Sequence, residues 1–125
     1  MTEKRRALQT LLWAAAMLGG SGESVWAHHS AAAFDRAHPV AMTGIVKRFL
    51  WANPHTWLYL EVPNAAGSSD EWLLEGPPPS MLVRKGWSGK TLKVGEKLTL
   101  VVALYKDGSK HGEFTVVRDA SGHEL

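Results

Sequence analysis

The sequence predicts an all-β fold with one short helix, arranged as a small five-stranded OB-like Greek-key barrel. Three observations carry that reading. Five short segments alternate apolar and polar residues with a period of two, as half-buried strands do. The one stretch with helix signals lies between the third and fourth of them, which is the element order of an OB-fold. Gly44 stands inside the first segment, where the most coiled strand of such a barrel needs a bulge or a tight bend. An open β-sandwich is the alternative arrangement of the same elements.

The 125 residues divide into three parts: an export signal at 1–27, an extended arm at 28–39 and the barrel at 40–125. Lys4, Arg5 and Arg6 form a positive start, and residues 7–20 are apolar apart from Gln9 and Thr10. That run is too short to cross roughly 30 Å of hydrocarbon as a helix, so cleavage is expected rather than anchoring. Residues 21–27 are a short polar stretch ending Val25-Trp26-Ala27, with side chains a signal peptidase accepts. Arg5-Arg6 followed by Leu8 fits a twin-arginine route in part; the general secretory route is the better match. The expected location is periplasmic or secreted.

Cleavage after Ala27 leaves 98 residues. It removes three of the 14 basic and two of the 12 acidic residues, and the mature chain carries a formal charge of +1. So even a balance argues against nucleic acid as a partner, which needs a clustered basic face. There is no cysteine, which excludes disulfides, thiolate chemistry and thiolate metal sites.

In the mature chain, residues 28–39 show no sustained period and read as an arm. The first strand is expected at 40–51. Asn53-Pro54 breaks the pattern. The second strand, 55–62, is the cleanest alternation: Leu58, Leu60 and Val62 face one side, and His55, Trp57, Tyr59 and Glu61 the other. A polar loop leads to a third strand at 71–75 with Trp72 and Leu74 inward. Residues 80–85 are expected to make one or two helical turns, capped by Ser80 and ended by Gly86. The fourth strand, 97–105, aligns Leu98, Leu100, Val102 and Leu104. After the Asp107-Gly108 turn comes a fifth strand, 113–118, with Phe114 and Val116 inward.

Ala27-His28-His29-Ser30, Phe34-Asp35, Gly44-Ile45-Val46, Trp51-Ala52-Asn53-Pro54-His55, Trp72, Glu75, Arg84-Lys85-Gly86-Trp87 and Leu92-Lys93-Val94-Gly95 occur in this order. With these motifs the chain resembles a widespread family of small exported bacterial proteins, the domain of unknown function 6152. The combined spacing is specific. The resemblance implies export and an all-β fold, and it implies no activity. At Gly95-Glu96 the sequence departs from the more usual Gly-Asp of that pattern.

His28 and His29 are the sharpest chemical feature. With cleavage after Ala27, the α-amine and ring Nδ1 of His28 can chelate one metal ion, since both nitrogens lose their protons near neutrality. Amine and imidazole nitrogens suit Cu(II) ahead of Zn(II). His29 and His55 are the first candidates for further nitrogens, with His38 and His111 behind them. The alternative is a polar start with no ligand. Asn53-Pro54-His55 occupies the first strand–strand loop, which borders the usual ligand face of an OB-like barrel. Its alternative reading is an ordinary turn.

Phe49, Trp51, Trp57 and Tyr59 would share the face opposite the second strand's aliphatic row if the first two strands pair. With Asn53, they are the candidate partner face, able to stack on a carbohydrate or a protein surface. A second small core is the competing reading. Glu71, Glu75, Asp35 and Arg84 read as surface or arm-anchoring ion pairs rather than an acid–base set. No catalytic residues are assigned. The expected function is a non-catalytic binding module holding a transition metal, with docking on an envelope partner as the alternative. Once cleaved, the chain is not expected to be an integral membrane protein.

Overall fold

A computed structural model describes residues 32–125. The expected export signal, its expected cleavage point and the His28-His29 pair lie outside the described residues. The elements are β1 (Val40–Leu50), β2 (Trp57–Pro63), β3 (Ser69–Glu75), α1 (Pro79–Val83), β4 (Lys97–Leu104) and β5 (His111–Arg118). The strands close into a barrel in the order β1-β2-β3-β5-β4. All neighbours are antiparallel except β3 and β5, which run parallel where Leu73, Leu74 and Glu75 meet His111, Gly112 and Glu113. The order is consistent with the OB-like expectation, and closure sets the open sandwich aside.

β1 serves both of its neighbours. Val40 to Ile45 pair with β4, and Ile45 to Leu50 pair with β2. Gly44 sits at the handover. A Cβ there would fall 2.5 Å from the Glu61 carbonyl oxygen and 2.8 Å from Leu60 Cγ, so the glycine permits close approach of the two strands. The bulge itself lies further on, between Val46 and Arg48. Before it Met42 and Val46 point inward; after it Phe49 and Trp51 pack on the core.

The core is made by Val46, Leu58, Leu60, Leu74, Leu98, Leu100, Val102 and Phe114, all essentially without exposed surface. β2 and β4 supply it from alternate positions, Leu58 and Leu60 in the first and Leu98, Leu100 and Val102 in the second; towards the strand ends the pattern lapses, with Ala103 also buried and Val62 and Leu104 partly exposed. β5 does not. Phe114 is buried, but the second inward residue is Val117 at 3 % exposure, and Val116 is partly exposed. The expectation for Val116 is corrected by a bulge: Val101 lies opposite Val116 while Val102 lies opposite Phe114. One extra residue, Thr115, reverses the alternation beyond it.

α1 closes the barrel with Leu82 and begins one residue earlier than expected, without a capping side chain from Ser80. Proline at the first turn has the right φ and gives up an N–H that would have no helical partner. The helix stops at Val83, two residues short of the expected end, and the turn that terminates it runs to Gly86 as expected. Gly86 has φ +84°, its N–H bonds the Val83 carbonyl at 3.0 Å, and the Trp87 N–H bonds Leu82 at 3.0 Å. This Schellman turn folds Trp87 back into the core beside Leu82.

The described part of the arm lies against the end of β4. Phe34 bridges to Tyr105, the Asp35 N–H bonds the Leu104 carbonyl at 2.8 Å, and the Lys106 N–H bonds the Ala33 carbonyl at 2.8 Å. Phe34 is 5 % exposed. Among the described residues, no helix is long and apolar enough to cross a membrane.

Candidate functional site

The outer face of β2, β3 and β5 lies between the β1–β2 loop and the β4–β5 loop, where OB-like barrels commonly hold ligands. Leu58, Leu60 and Leu74 point inward, so Trp57, Tyr59, Leu73 and Glu75 point out. The register sets two rows across this face. Trp57 is opposite Glu75, which is beside Glu113; Tyr59 is opposite Leu73, which is beside His111.

His55 stands at the rim, held by its neighbours. The preceding Asn53–Pro54 bond is cis. Thr56 is fully buried, with its hydroxyl donating to the Pro77 carbonyl at 2.9 Å, and the Gly76 N–H donates to the Thr56 carbonyl at 2.8 Å. These bonds fix the loop onto the end of β3. His55 Nδ1 then lies 3.2 Å from the Gly76 carbonyl oxygen and 3.1 Å from the Glu75 carboxylate. Both partners accept, so Nδ1 carries the proton, and in the neutral ring Nε2 keeps its lone pair.

A second cluster forms where the arm meets β5. His111 stacks on Tyr105 with centroids 4.8 Å apart and planes 6° from parallel. Phe34 is edge-on to both rings, at 5.8 Å from His111 and 5.2 Å from Tyr105. Trp57 lies 5.9 Å from His111 at a tilt of 36°. Next to this cluster Arg36 makes a two-pronged bond to Glu113, at 2.7 and 3.0 Å. That hydrogen bond, then the Glu113 charge, raises the Arg36 pKa against a smaller opposing effect of burial; the Glu75 charge adds to it. Glu75 therefore acts on both His55 and Arg36.

The four aromatic residues expected on one face are divided between two. Trp57 and Tyr59 are outward, and the Arg48 guanidinium lies 5.6 Å from the Tyr59 ring centre. Phe49 and Trp51 turn to the other side after the β1 bulge. Their rings are 6.1 Å apart, Phe49 is 6.3 Å from Trp87, and both pack on the core. Asn53 is exposed in the loop. Of the expected metal ligands, His55 is on the face, and His28 and His29 lie outside the described residues.

Among the expected ion pairs, Glu75 meets His55, and Asp35 meets His38 at 3.1 Å. Sequence reasoning named neither Phe34 nor Tyr105 as part of the site and kept His111 in reserve. The Asp107-Gly108 turn was the available signal, because the hairpin brings the Tyr105 N–H to the His111 carbonyl at 2.9 Å. No group of three or more His, Cys, Asp or Glu that could hold a metal ion occurs among the described residues. The face thus offers the His55 imidazole, carboxylates and flat aromatic surface.

Residues 16–114 match the family model described as a family of unknown function (DUF6152). No curated protein and no solved structure matches the chain.

Proposed function

Because the chain belongs to this family of unknown function (DUF6152), we propose from its own residues that it is an exported, non-catalytic binding module. Its ligand is one transition-metal ion, Cu(II) ahead of Zn(II), taken by His28 and His29 with His55. The observation that carries this reading is the preset ring of His55. Its Nδ1 proton is engaged by Gly76 and Glu75, an arrangement that orients a metal-binding imidazole. The other end of the site is the terminus at His28, whose amine and ring close on one ion, so the second nitrogen binds without a new loss of translational freedom. The arm supports delivery. Phe34 is fixed on β4, and His28 lies six residues before it, a span of at most about 21 Å.

A second reading uses the outward Trp57 and Tyr59 to dock a partner protein or an envelope carbohydrate, and is favoured by the position of that pair between the two loops. The two readings part on the chain terminus. Exported protein should begin at His28 by intact mass, and a Cu(II) titration of that protein should show one site. One glycine placed before His28 turns the amine into an amide, and affinity should fall at least about tenfold. Equal binding by the native and extended proteins, or none tighter than about millimolar, rejects the terminal chelate and leaves docking as the better account.

A further inference from the structure

The near-even overall charge hides an uneven distribution. From the start of α1 to the first residue of β4, residues 79–97, the chain holds five of its 14 lysines and arginines but one of its 12 acidic residues. Arg84, Lys85, Lys90, Lys93 and Lys97 are all exposed, and none of them is in an ion pair among the described residues. The single acid, Glu96, turns its carboxylate back onto the Lys93 N–H at 3.1 Å. The same stretch carries Met81, Val83 and Val94, exposed by 55, 59 and 74 %, the most exposed large apolar side chains among the described residues. Singly such residues are ordinary; three in one basic stretch call for a surface that receives them.

Packing explains the display. Leu82, Trp87 and Leu92 are buried in the core and fasten the stretch to the barrel. What lies between these anchors faces outward: residues 83–86, 88–90 and 93–95 are exposed. Hydrogen bonds hold the turns, with the Ser88 N–H on the Thr91 hydroxyl at 2.8 Å and the Gly95 N–H on the Val46 carbonyl at 2.8 Å. The backbone is preset, and only side chains need ordering on contact. We propose that this stretch docks on an anionic lipid bilayer, with the cations at the headgroups and Met81, Val83 and Val94 entering the interface. Charge complementarity gives the sign of the partner, and the other residues give its kind. A phosphodiester backbone offers nothing to the apolar side chains. Lysine, four of the five cations, is depleted at protein–protein interfaces. Attraction to an anionic bilayer needs only charge, about fivefold in affinity for each lysine or arginine near the surface. A bilayer interface also accepts separate apolar side chains. This surface shares no residue with the metal reading and does not depend on it.

The test uses residues 28–125, so that the apolar run at 7–20 plays no part, with vesicles of phosphatidylcholine alone or mixed equally with phosphatidylglycerol. Native protein should sediment with the mixed vesicles and not with the neutral ones. Raising the salt from about 0.05 to about 0.5 M should release it. Lys85→Ala, Lys90→Ala and Lys93→Ala combined should weaken binding on the order of a hundredfold. The melting temperature should hold, because all three side chains are exposed. The chain has no cysteine, so Val94→Cys takes an environment-sensitive dye at one place. Its emission should shift to the blue on mixed vesicles, and the same dye on Ala65→Cys, in the loop at the far end of β3, should not shift. Equal binding to neutral vesicles, or none to mixed ones, overturns the proposal. Binding of native protein to DNA or heparin without binding to vesicles makes the stretch a polyanion site instead. Vesicle binding kept by the folded triple variant, or an unshifted dye at position 94, places the contact elsewhere and also overturns it.

Discussion

Gly76 is the residue on which the rim of the site turns. Its carbonyl receives His55 Nδ1, and its N–H holds the Thr56 carbonyl. A Cβ at this position would lie 2.3 Å from Phe114 Cζ and 2.4 Å from the Thr56 hydroxyl oxygen, both deep in the packed interior. Neither neighbour can swing away. Gly76→Ala should therefore destabilise the protein by about 3 kcal/mol, read from urea unfolding; a loss under about 0.5 kcal/mol would show that the end of β3 yields easily. The sequence made His55 visible because Asn53-Pro54 announces a loop with a displayed residue. It did not reveal that Glu75 and Gly76 orient the ring, since that contact joins residues some twenty positions apart and depends on the β2–β3 register. His111 was harder still. Its surroundings come from the arm, β2 and the β4–β5 hairpin, and no local pattern records that meeting.

At the scale of the element, β2 and β4 were readable because alternation runs through most of their length, whereas β1 and β5 each carry one extra residue. A bulge leaves no mark in an apolar–polar pattern that also fits an unbroken strand, yet it exchanges the faces beyond it. That is why Phe49 and Trp51 joined the core while Trp57 and Tyr59 stayed outside. The same effect in β5 makes a discriminating pair of variants. Val117→Ala removes two buried carbons and should cost about 2 kcal/mol, whereas Val116→Ala should cost under about 1 kcal/mol. Equal losses in chemical denaturation would place the Thr115 bulge elsewhere. Gly86 is the opposite case, legible in advance: a left-handed glycine after a short helix has one common use, and the structure puts it to that use, although the helix itself stops at Val83.

Over the whole molecule, the element order was sufficient to foresee a closed barrel, and the arm's docking was not foreseeable because its bonds are mainly to backbone groups. Charge sets the acid limit of the fold. Asp70 is held below its usual 3.8 by a hydrogen bond from Lys110, Asp107 by one from Ser109, and Asp119 by one from Ser121. A lowered folded-state pKa gives stability that is complete above the unfolded value and lost as pH falls through the folded one. The melting temperature should be insensitive to these three groups from neutrality to about pH 5 and should decline below about pH 4. An undiminished value at pH 2.5 would exclude them as contributors. The arm has one further consequence. Arg36 bonds a glutamate 77 positions later, and β5 must lie between β3 and β4 before the ring of strands is complete. A chain emerging from its amino end can pair β1, β2 and β3 early, but it cannot close the barrel until β5 arrives near its last residues. The Phe34–Arg36 stretch, which precedes every strand in the chain, is therefore among the last to find its place, because its partners lie in β5 and at the end of β4.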